Sequence, residues 1–188
     1  MKKPNRSIML AAPVAVAALM LGLVAPGTAL LDTQATTDSV GPHGYVVITV
    51  ARDGDEIYRH EDHNLITNAG KDFISVQLGQ TTGIGGNGAN YIGLSTNTAA
   101  AAAGDTTLAG EIPGGGLARS QGDYAHTVGQ ATYAITEQFT ATATHTAVQK
   151  AGLFTAASGG TMMAENTFSP VTLQNGDQLT ITWTVTLS

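Results

Sequence analysis

The chain has 188 residues, with 8 Lys and Arg against 14 Asp and Glu, and it contains no cysteine. Its net charge of −6 argues against a nucleic-acid-binding face, because an acidic surface repels phosphate groups. Disulfides and thiolate metal sites are excluded, so packing, strand pairing or neighbouring subunits must stabilise the fold.

Residues 1–29 have the layout of a secretion signal peptide. Three basic residues lie within the first six positions, a long apolar run follows, and the small residues 27–29 end the segment. The apolar run is also long enough for a retained membrane anchor or for the apolar helix of a pilin. Pro13 would interrupt a regular helix, which favours cleavage. We expect a secreted protein that begins at Leu30 and meets a membrane only through its leader.

Residues 30–44 are mostly polar and end near Gly41-Pro42, so they predict an extended N-terminal arm ahead of one domain over residues 45–188. Two β-rich runs follow, at residues 45–51 and 56–60. The Asp53-Gly54 pair between them predicts a hairpin, because both turn positions tolerate positive φ.

Residues 64–79 change to helical spacing, with Phe73, Ile74, Gln77 and Leu78 on one face. Either Thr67 or Asn68 provides a cap at the start, and Gly79 provides a stop. The segment therefore predicts a short helix over one end of a sheet.

Two loops rich in small residues surround the next predicted strand. Residues 80–90 are Gly-rich, residues 91–95 predict a short strand, and residues 96–116 carry an Ala run between turn residues. We expect residues 96–116 to form a long surface loop with at most one helical turn.

The C-terminal third has the clearest strand pattern. Residues 179–187 alternate strictly, with Trp183 among aliphatic residues on one face and threonines on the other, so Trp183 is expected in the core. Asn175-Gly176 predicts a second hairpin turn. Further strands are predicted at 131–142, 148–155 and 162–168. Seven or eight strands with an apolar inner face predict an all-β fold, a two-sheet β-sandwich of jelly-roll or Ig-like type with one short helix.

The sequence shows no catalytic set and no cofactor motif. The G-x-G-x-x-G string at 83–88 precedes a strand, whereas dinucleotide binding requires a helix there. The acidic and histidine residues at 60–63 lack the spacing of a zinc motif and are more typical of a solvated edge. No nucleophile motif is present. We therefore expect a protein that is not an enzyme and that uses no cofactor.

The first hairpin offers weak calcium candidates. Asp53, Asp55 and Glu56 place three carboxylates in one turn, and carboxylate oxygens are the ligands that calcium prefers. The string is too short for an EF-hand loop. A plain turn, with charges that keep a sheet edge soluble, is the favoured interpretation.

Several segments together resemble tailed-phage virion proteins of the tail-fibre and tail-tip type. The similar pieces are residues 63–70, 91–112, 150–156 and 162–186, in the same order. The resemblance implies a β-sandwich that assembles into a fibre or decorates one, and it implies no catalytic residue. Virion parts assemble inside the host, so the leader favours a cell-surface relative with the same fold.

Export, the missing catalytic set and the polar arm predict a structural subunit of an extracellular, pilus-like filament. Identical subunits would join head to tail by β-strand complementation, in which one chain adds a strand to its neighbour's sheet. The alternative is a phage virion or tail adhesin, or a secreted module that binds surface glycans with residues 80–90 and 96–116. The expected assembly residues lie in the arm or on the first strand: Leu30, Leu31, Val40, Tyr45, Val47 and Val50.

Overall fold

The computed structural model describes residues 41–79 and 88–187, which form a mostly β fold. The described strands are β1 (Pro42–Arg52), β2 (Asp55–Ile66), β3 (Tyr91–Ser95), β4 (Ser120–Gln121), β5 (Asp123–His126), β6 (Thr132–Thr140), β7 (His145–Phe154), β8 (Met162–Leu173) and β9 (Gln178–Leu187), with one helix, α1 (Asn68–Gly79). The predicted all-β class with one short helix is confirmed.

The nine described strands form one antiparallel sheet in the order β4-β3-β7-β8-β2-β1-β9-β6-β5. Its terminal strands, β4 and β5, are separated only by Gly122, so one extended piece of chain ends the sheet on both sides and nearly closes it. β2 connects the two halves. It pairs with β1 along its length but with β8 only at Leu65 and Ile66. The hydrogen bonding is thus continuous, where the sequence predicted two sheets.

The core follows the two-residue periodicity of the strands. On β9, Leu179, Ile181, Trp183 and Val185 are all fully buried, which confirms the predicted core position of Trp183. The neighbouring strands β1 and β6 contribute their own alternate residues to the same cluster, namely Val46, Ile48, Val50, Ile135 and Phe139.

The hairpin between β1 and β2 is confirmed. Asp53 and Gly54 have φ values of 54° and 92°, the two positive values that a tight turn between twisted strands needs. β1 begins at Pro42, which pairs with Leu187 on β9. The last three residues of the predicted arm are therefore part of this strand.

Three predictions differ from the structure in their extent or connection. Residues 64–66 continue β2 because Leu65 and Ile66 pair with β8, so the helix starts only at Asn68. The second predicted hairpin is wrong: Gly176 has the expected positive φ of 94°, but the turn joins β8 to β9, which are not neighbours in the sheet. Strands β4 and β5 follow the long loop and were not predicted.

Candidate functional site: an apolar groove beside strand β5

An apolar groove of about 380 Å³ lies between α1 and the β5 end of the sheet. Gln77, Asn90 and two tyrosines are the polar side chains among its described lining residues, and none of these lining residues carries a charge. The lining consists of Phe73, Ile74, Gln77 and Leu78 from the helix, Gly88, Ala89 and Asn90 before β3, and Tyr124, Tyr133, Ile135, Met163, Val185 and Leu187 from the strands.

Thr67 and Gly70 fix the position of α1, which forms one wall of the groove. The hydroxyl of Thr67 accepts a hydrogen bond from the Gly70 N–H at 2.9 Å, which caps the helix, and donates to the Met162 carbonyl at 2.5 Å. At Gly70 a Cβ atom would stand 2.1 Å from the Met163 carbonyl oxygen, so only glycine allows the first turn to lie this close to β8. The helix is therefore fixed against the sheet at its first turn, and its later apolar residues face the groove.

Three large apolar side chains on the groove wall are exposed to solvent. The exposed fractions are 79% for Leu78, 62% for Tyr124 and 48% for Leu187. Large exposed apolar residues that cluster around a concave surface are typical of a binding site, whereas single ones are common on any protein. The groove is accordingly the strongest candidate for a functional site in the described ranges.

Tyr133 forms the floor of the groove and stays neutral near physiological pH. Its hydroxyl lies 3.9 Å from the Met163 sulfur, and burial raises its pKa to about 12, with a smaller contribution from Tyr124. The Tyr124 and Tyr133 rings are 5.8 Å apart between centroids. An apolar lining of this kind can hold aliphatic or aromatic side chains, and the Tyr133 hydroxyl does not act as a base at neutral pH.

β5 provides an edge strand next to this groove. It is the last strand of the sheet and all its residues are exposed. Tyr124 on β5 is the cross-strand partner of Ile135 on β6, so its ring lies on the groove side of the sheet. Leu187 on β9 also lines the groove, and it pairs with Pro42. Pro42, the first residue of β1, therefore lies beside the groove.

The expected assembly residues fall into two groups. Leu30, Leu31 and Val40 lie outside the described residues. Tyr45, Val47 and Val50 lie on β1, which is hydrogen-bonded to β2 on one side and to β9 on the other. Because both edges of β1 are already paired within the chain, this strand cannot be given to a neighbour without opening the sheet. Val50 is also fully buried.

The calcium candidates lie at the exposed tip of the first hairpin. Asp53 and Asp55 flank Gly54, and Glu56 lies 3.7 Å from Arg59 in an ion pair. Within residues 41–79 and 88–187, no three His, Asp or Glu side chains are grouped so that they could hold a metal ion. In the structure, the carboxylates of this turn face solvent and the neighbouring arginine.

The alternative function, glycan binding, would use the loops at residues 80–90 and 96–116, and the described part of these loops does not form an open recognition surface. Residues 80–87 lie outside the described part, as does most of the glycine string. The long loop after β3 packs on the sheet: Leu108 is buried with Phe154 and Met162, and the Ser95 hydroxyl donates to the Ala109 carbonyl at 2.5 Å. Ile112 donates its N–H to the Leu94 carbonyl at 2.8 Å, which covers the outer edge of β3.

The sequence indicated the helix wall of the groove but not the β5 wall. The helical spacing of Phe73, Ile74, Gln77 and Leu78 correctly indicated a helix, and these four residues line the site. The β5 wall had no such signal, because β5 is only four residues long and fully exposed. Tyr124, an aromatic residue in a polar stretch, is the single hint that this segment contains.

Comparisons with known protein families, with curated proteins and with solved structures found no match to the chain. In the described ranges, α1 is too short and too polar to be a membrane span.

Proposed function

We propose that the protein is a structural subunit of an extracellular, pilus-like filament whose identical subunits join head to tail by β-strand complementation. In this proposal the arm of one subunit, residues 30–40, pairs with β5 of the next and places its apolar side chains in the groove. The observation that carries the proposal is an exposed apolar groove directly beside a terminal strand. An added strand gains affinity from main-chain hydrogen bonds and specificity from side chains in such a groove.

The arm has the length and the pattern that a donor needs. In an extended conformation, its eleven residues span about 36 Å at roughly 3.3 Å each, which is enough to reach a neighbouring subunit. Leu31, Thr33 and Ala35 fall on one face of an extended chain, so they present carbon atoms to the same side. Leu30 and Val40 mark the two ends of this segment.

The other sheet edges are less suited to accept a strand, which supports β5 as the acceptor. Part of the outer edge of β3 is covered by the Glu111–Ile112 segment. β2 pairs with β8 only at its C-terminal end, and its remaining length is rich in charged residues and histidines between Asp55 and His63. Charges along an edge strand disfavour pairing with other chains. β5 instead has Tyr124 on its groove side.

The proposed fold at a finer level is a two-sheet β-sandwich. Its support is the narrow β2–β8 connection, which is confined to two residue pairs at Leu65 and Ile66. Residues from both halves of the sheet, such as Ile48 and Leu153, also belong to one buried cluster. A sheet that turns at β2 and packs its halves face to face would account for both observations. The resemblance to tail-fibre proteins supports a fibre role in the same way.

A pair of complementary variants tests the assembly. Leu31→Asp places a charge on the donor and leaves the residue next to the predicted cleavage site unchanged. Leu78→Asp places a charge on the acceptor at a position that is 79% exposed, so the subunit still folds. We expect each variant alone to remain monomeric in sedimentation and in negative-stain microscopy. Mixed together, they have one intact donor and one intact acceptor, and they should form heterodimers only.

Val128→Asp is the matched control. Val128 is 93% exposed and is not among the described groove residues, so this variant should form filaments like the natural protein. Filaments of normal length from Leu31→Asp would exclude the arm as donor. Normal filaments from Leu78→Asp would exclude the groove. A natural protein that stays monomeric at every concentration would overturn the filament proposal itself and leave the adhesin alternative.

A further inference from the structure

A buried polar cluster lies beneath the long loop, away from the groove. Lys150 on β7 and Glu165 on β8 are diagonal to each other, because Lys150 pairs with Thr167 and Glu165 with Gly152. Their side chains are only 3% and 1% exposed. The Lys150 Nζ atom lies 2.8 Å from the Glu165 Oε1 atom. No other acidic side chain forms an ion pair with Lys150 in the described part of the chain.

The cluster also contains the second carboxylate oxygen of Glu165 and another acidic residue, Asp105, which lines the same surface opening as Glu165. The Oε2 atom of Glu165 is buried and has no hydrogen-bond donor among the described residues. The carboxyl group of Asp105, which lies on the loop, helps to raise the pKa of Glu165. Asp105 is held by the Ala102 N–H, which donates to its Oδ2 atom at 3.0 Å.

The surroundings of Glu165 oppose its charged form. Burial raises the pKa of Glu165, the Lys150 hydrogen bond opposes this, and Asp105 adds to the rise. A buried ion pair also loses hydration on both partners, and the orphaned Oε2 atom receives no hydrogen bond in return. Transfer of one proton from Lys150 to Glu165 produces a neutral amine beside a neutral carboxylic acid, held at contact distance.

We propose that Lys150 and Glu165 condense to form an intramolecular amide bond that links β7 to β8. The Nζ atom attacks the carboxyl carbon Cδ of Glu165, a C–N bond forms, and the C–O bond to the protonated hydroxyl breaks. The nitrogen loses a proton and the leaving hydroxyl gains one, so the products are the amide and one water molecule. No oxidant, reductant or further reactant is required. A fixed geometry of this kind raises the effective concentration of the two groups greatly.

Asp105 is the group placed to move the proton. It lines the same opening as Glu165 and can deliver a proton to the leaving oxygen. The proton that the nitrogen loses passes to the Glu165 carboxyl, which lies at contact distance from it. The released water has a way out, because Asp105, Lys150 and Glu165 line an opening of about 270 Å³ together with polar loop residues such as Thr106. The cross-link goes beyond the proposed filament role: it gives a chain without cysteine a covalent bond between strands.

Trypsin digestion of the unfolded full chain tests the bond directly. The first basic residue after Arg119 is Lys150, and none follows it. An unmodified chain therefore yields two peptides, residues 120–150 and 151–188. Trypsin does not cut after a lysine whose side chain is acylated, so the amide yields one peptide, residues 120–188, lighter by one water molecule than the sequence requires. We expect that single peptide.

Two variants assign the roles. Lys150→Arg keeps the positive charge, cannot form the amide, and should yield both peptides at their unmodified masses. Asp105→Ala changes a partly exposed loop residue and should slow amide formation after refolding by about 100-fold. Thr106→Ala lines the same opening and is its matched control, with an expected rate near that of the natural chain.

Two outcomes contradict the inference. If the natural chain, kept folded for days, yields residues 120–150 and 151–188 at unmodified mass, there is no amide. If Asp105→Ala forms the amide as fast as Thr106→Ala, Asp105 does not carry the proton. Both readouts come from denatured peptides, so they do not depend on whether the protein forms filaments.

Discussion

Leu78→Ala should weaken assembly strongly and leave the single subunit almost unchanged. Leu78 is 79% exposed, so the monomer gains little from its side chain. Replacing leucine by alanine removes three carbon atoms, each worth about 0.8 kcal/mol when it moves from water to an apolar contact. With four-fifths of the side chain still to be buried, the loss is about 2 kcal/mol at each subunit contact, which corresponds to about 30-fold in the dissociation constant.

Two assays separate the effects. The critical concentration for polymerisation, measured by sedimentation, should rise about 30-fold, whereas the free energy of unfolding of the monomer in urea should change by less than about 0.5 kcal/mol. Ile57→Ala is the matched control, because Ile57 is also aliphatic and 48% exposed but lies on β2, outside the groove. If Leu78→Ala raises the critical concentration no more than Ile57→Ala does, Leu78 is not buried when subunits assemble.

Three further predictions concern stability. Gly70→Ala should destabilise the fold by about 3 kcal/mol in urea, because the new Cβ would overlap the Met163 carbonyl, whereas Gly79→Ala, with no atom within 4 Å of its Cβ position, should be nearly neutral. Asp177 has its pKa lowered by the Arg52 hydrogen bond, so its contribution to stability is present above the ordinary value of 3.8 and is lost as the pH falls; Asp177→Asn should flatten the acid side of the stability curve. Tyr133 has its pKa raised from 10.0 to about 12, so the unfolded chain loses this proton at a lower pH than the folded chain does. The free energy of unfolding should therefore fall as the pH rises between these two values. Tyr133→Phe should remove this pH dependence, measured by urea unfolding at alkaline pH.

Elements with a strong period were predictable from the sequence. The strict alternation from Leu179 to Leu187 fixed the buried face of β9, and Asp53-Gly54 fixed the first hairpin turn. The helix that lines the groove was visible from its spacing, although its start depends on the Leu65 and Ile66 pairing with β8. Local chemistry decides these features, so a single sequence contains enough information for them.

The connections between strands were not predictable in the same way. Asn175-Gly176 has the local chemistry of a hairpin turn, but which strands it joins depends on long-range pairing: β9 lies between β1 and β6, while β8 pairs with β7 and the end of β2. β4 and β5 are too short to show a period. The buried ion pair of Lys150 and Glu165 could not be predicted from the sequence either, because charged residues on strands usually face solvent.

The β3–β7 side of the fold is covered by its own loop, whereas the β5 end is open, and this difference favours the groove as the place where another chain binds. Over the β3–β7 side, the long loop is held down by specific polar contacts, among them the paired hydrogen bonds from Arg119 to Glu111 at 2.7 and 2.6 Å and the stacking of Arg119 on the Phe154 ring at 3.4 Å. At the β5 end, Leu78 and Leu187 remain exposed beside a lining without charges among its described residues. In the proposed filament, the apolar residues of the neighbouring subunit's arm would cover this open surface. Substitution of Arg119 should therefore lower the stability of the subunit without changing its assembly. Substitution of Leu78 should weaken assembly without changing the stability of the subunit.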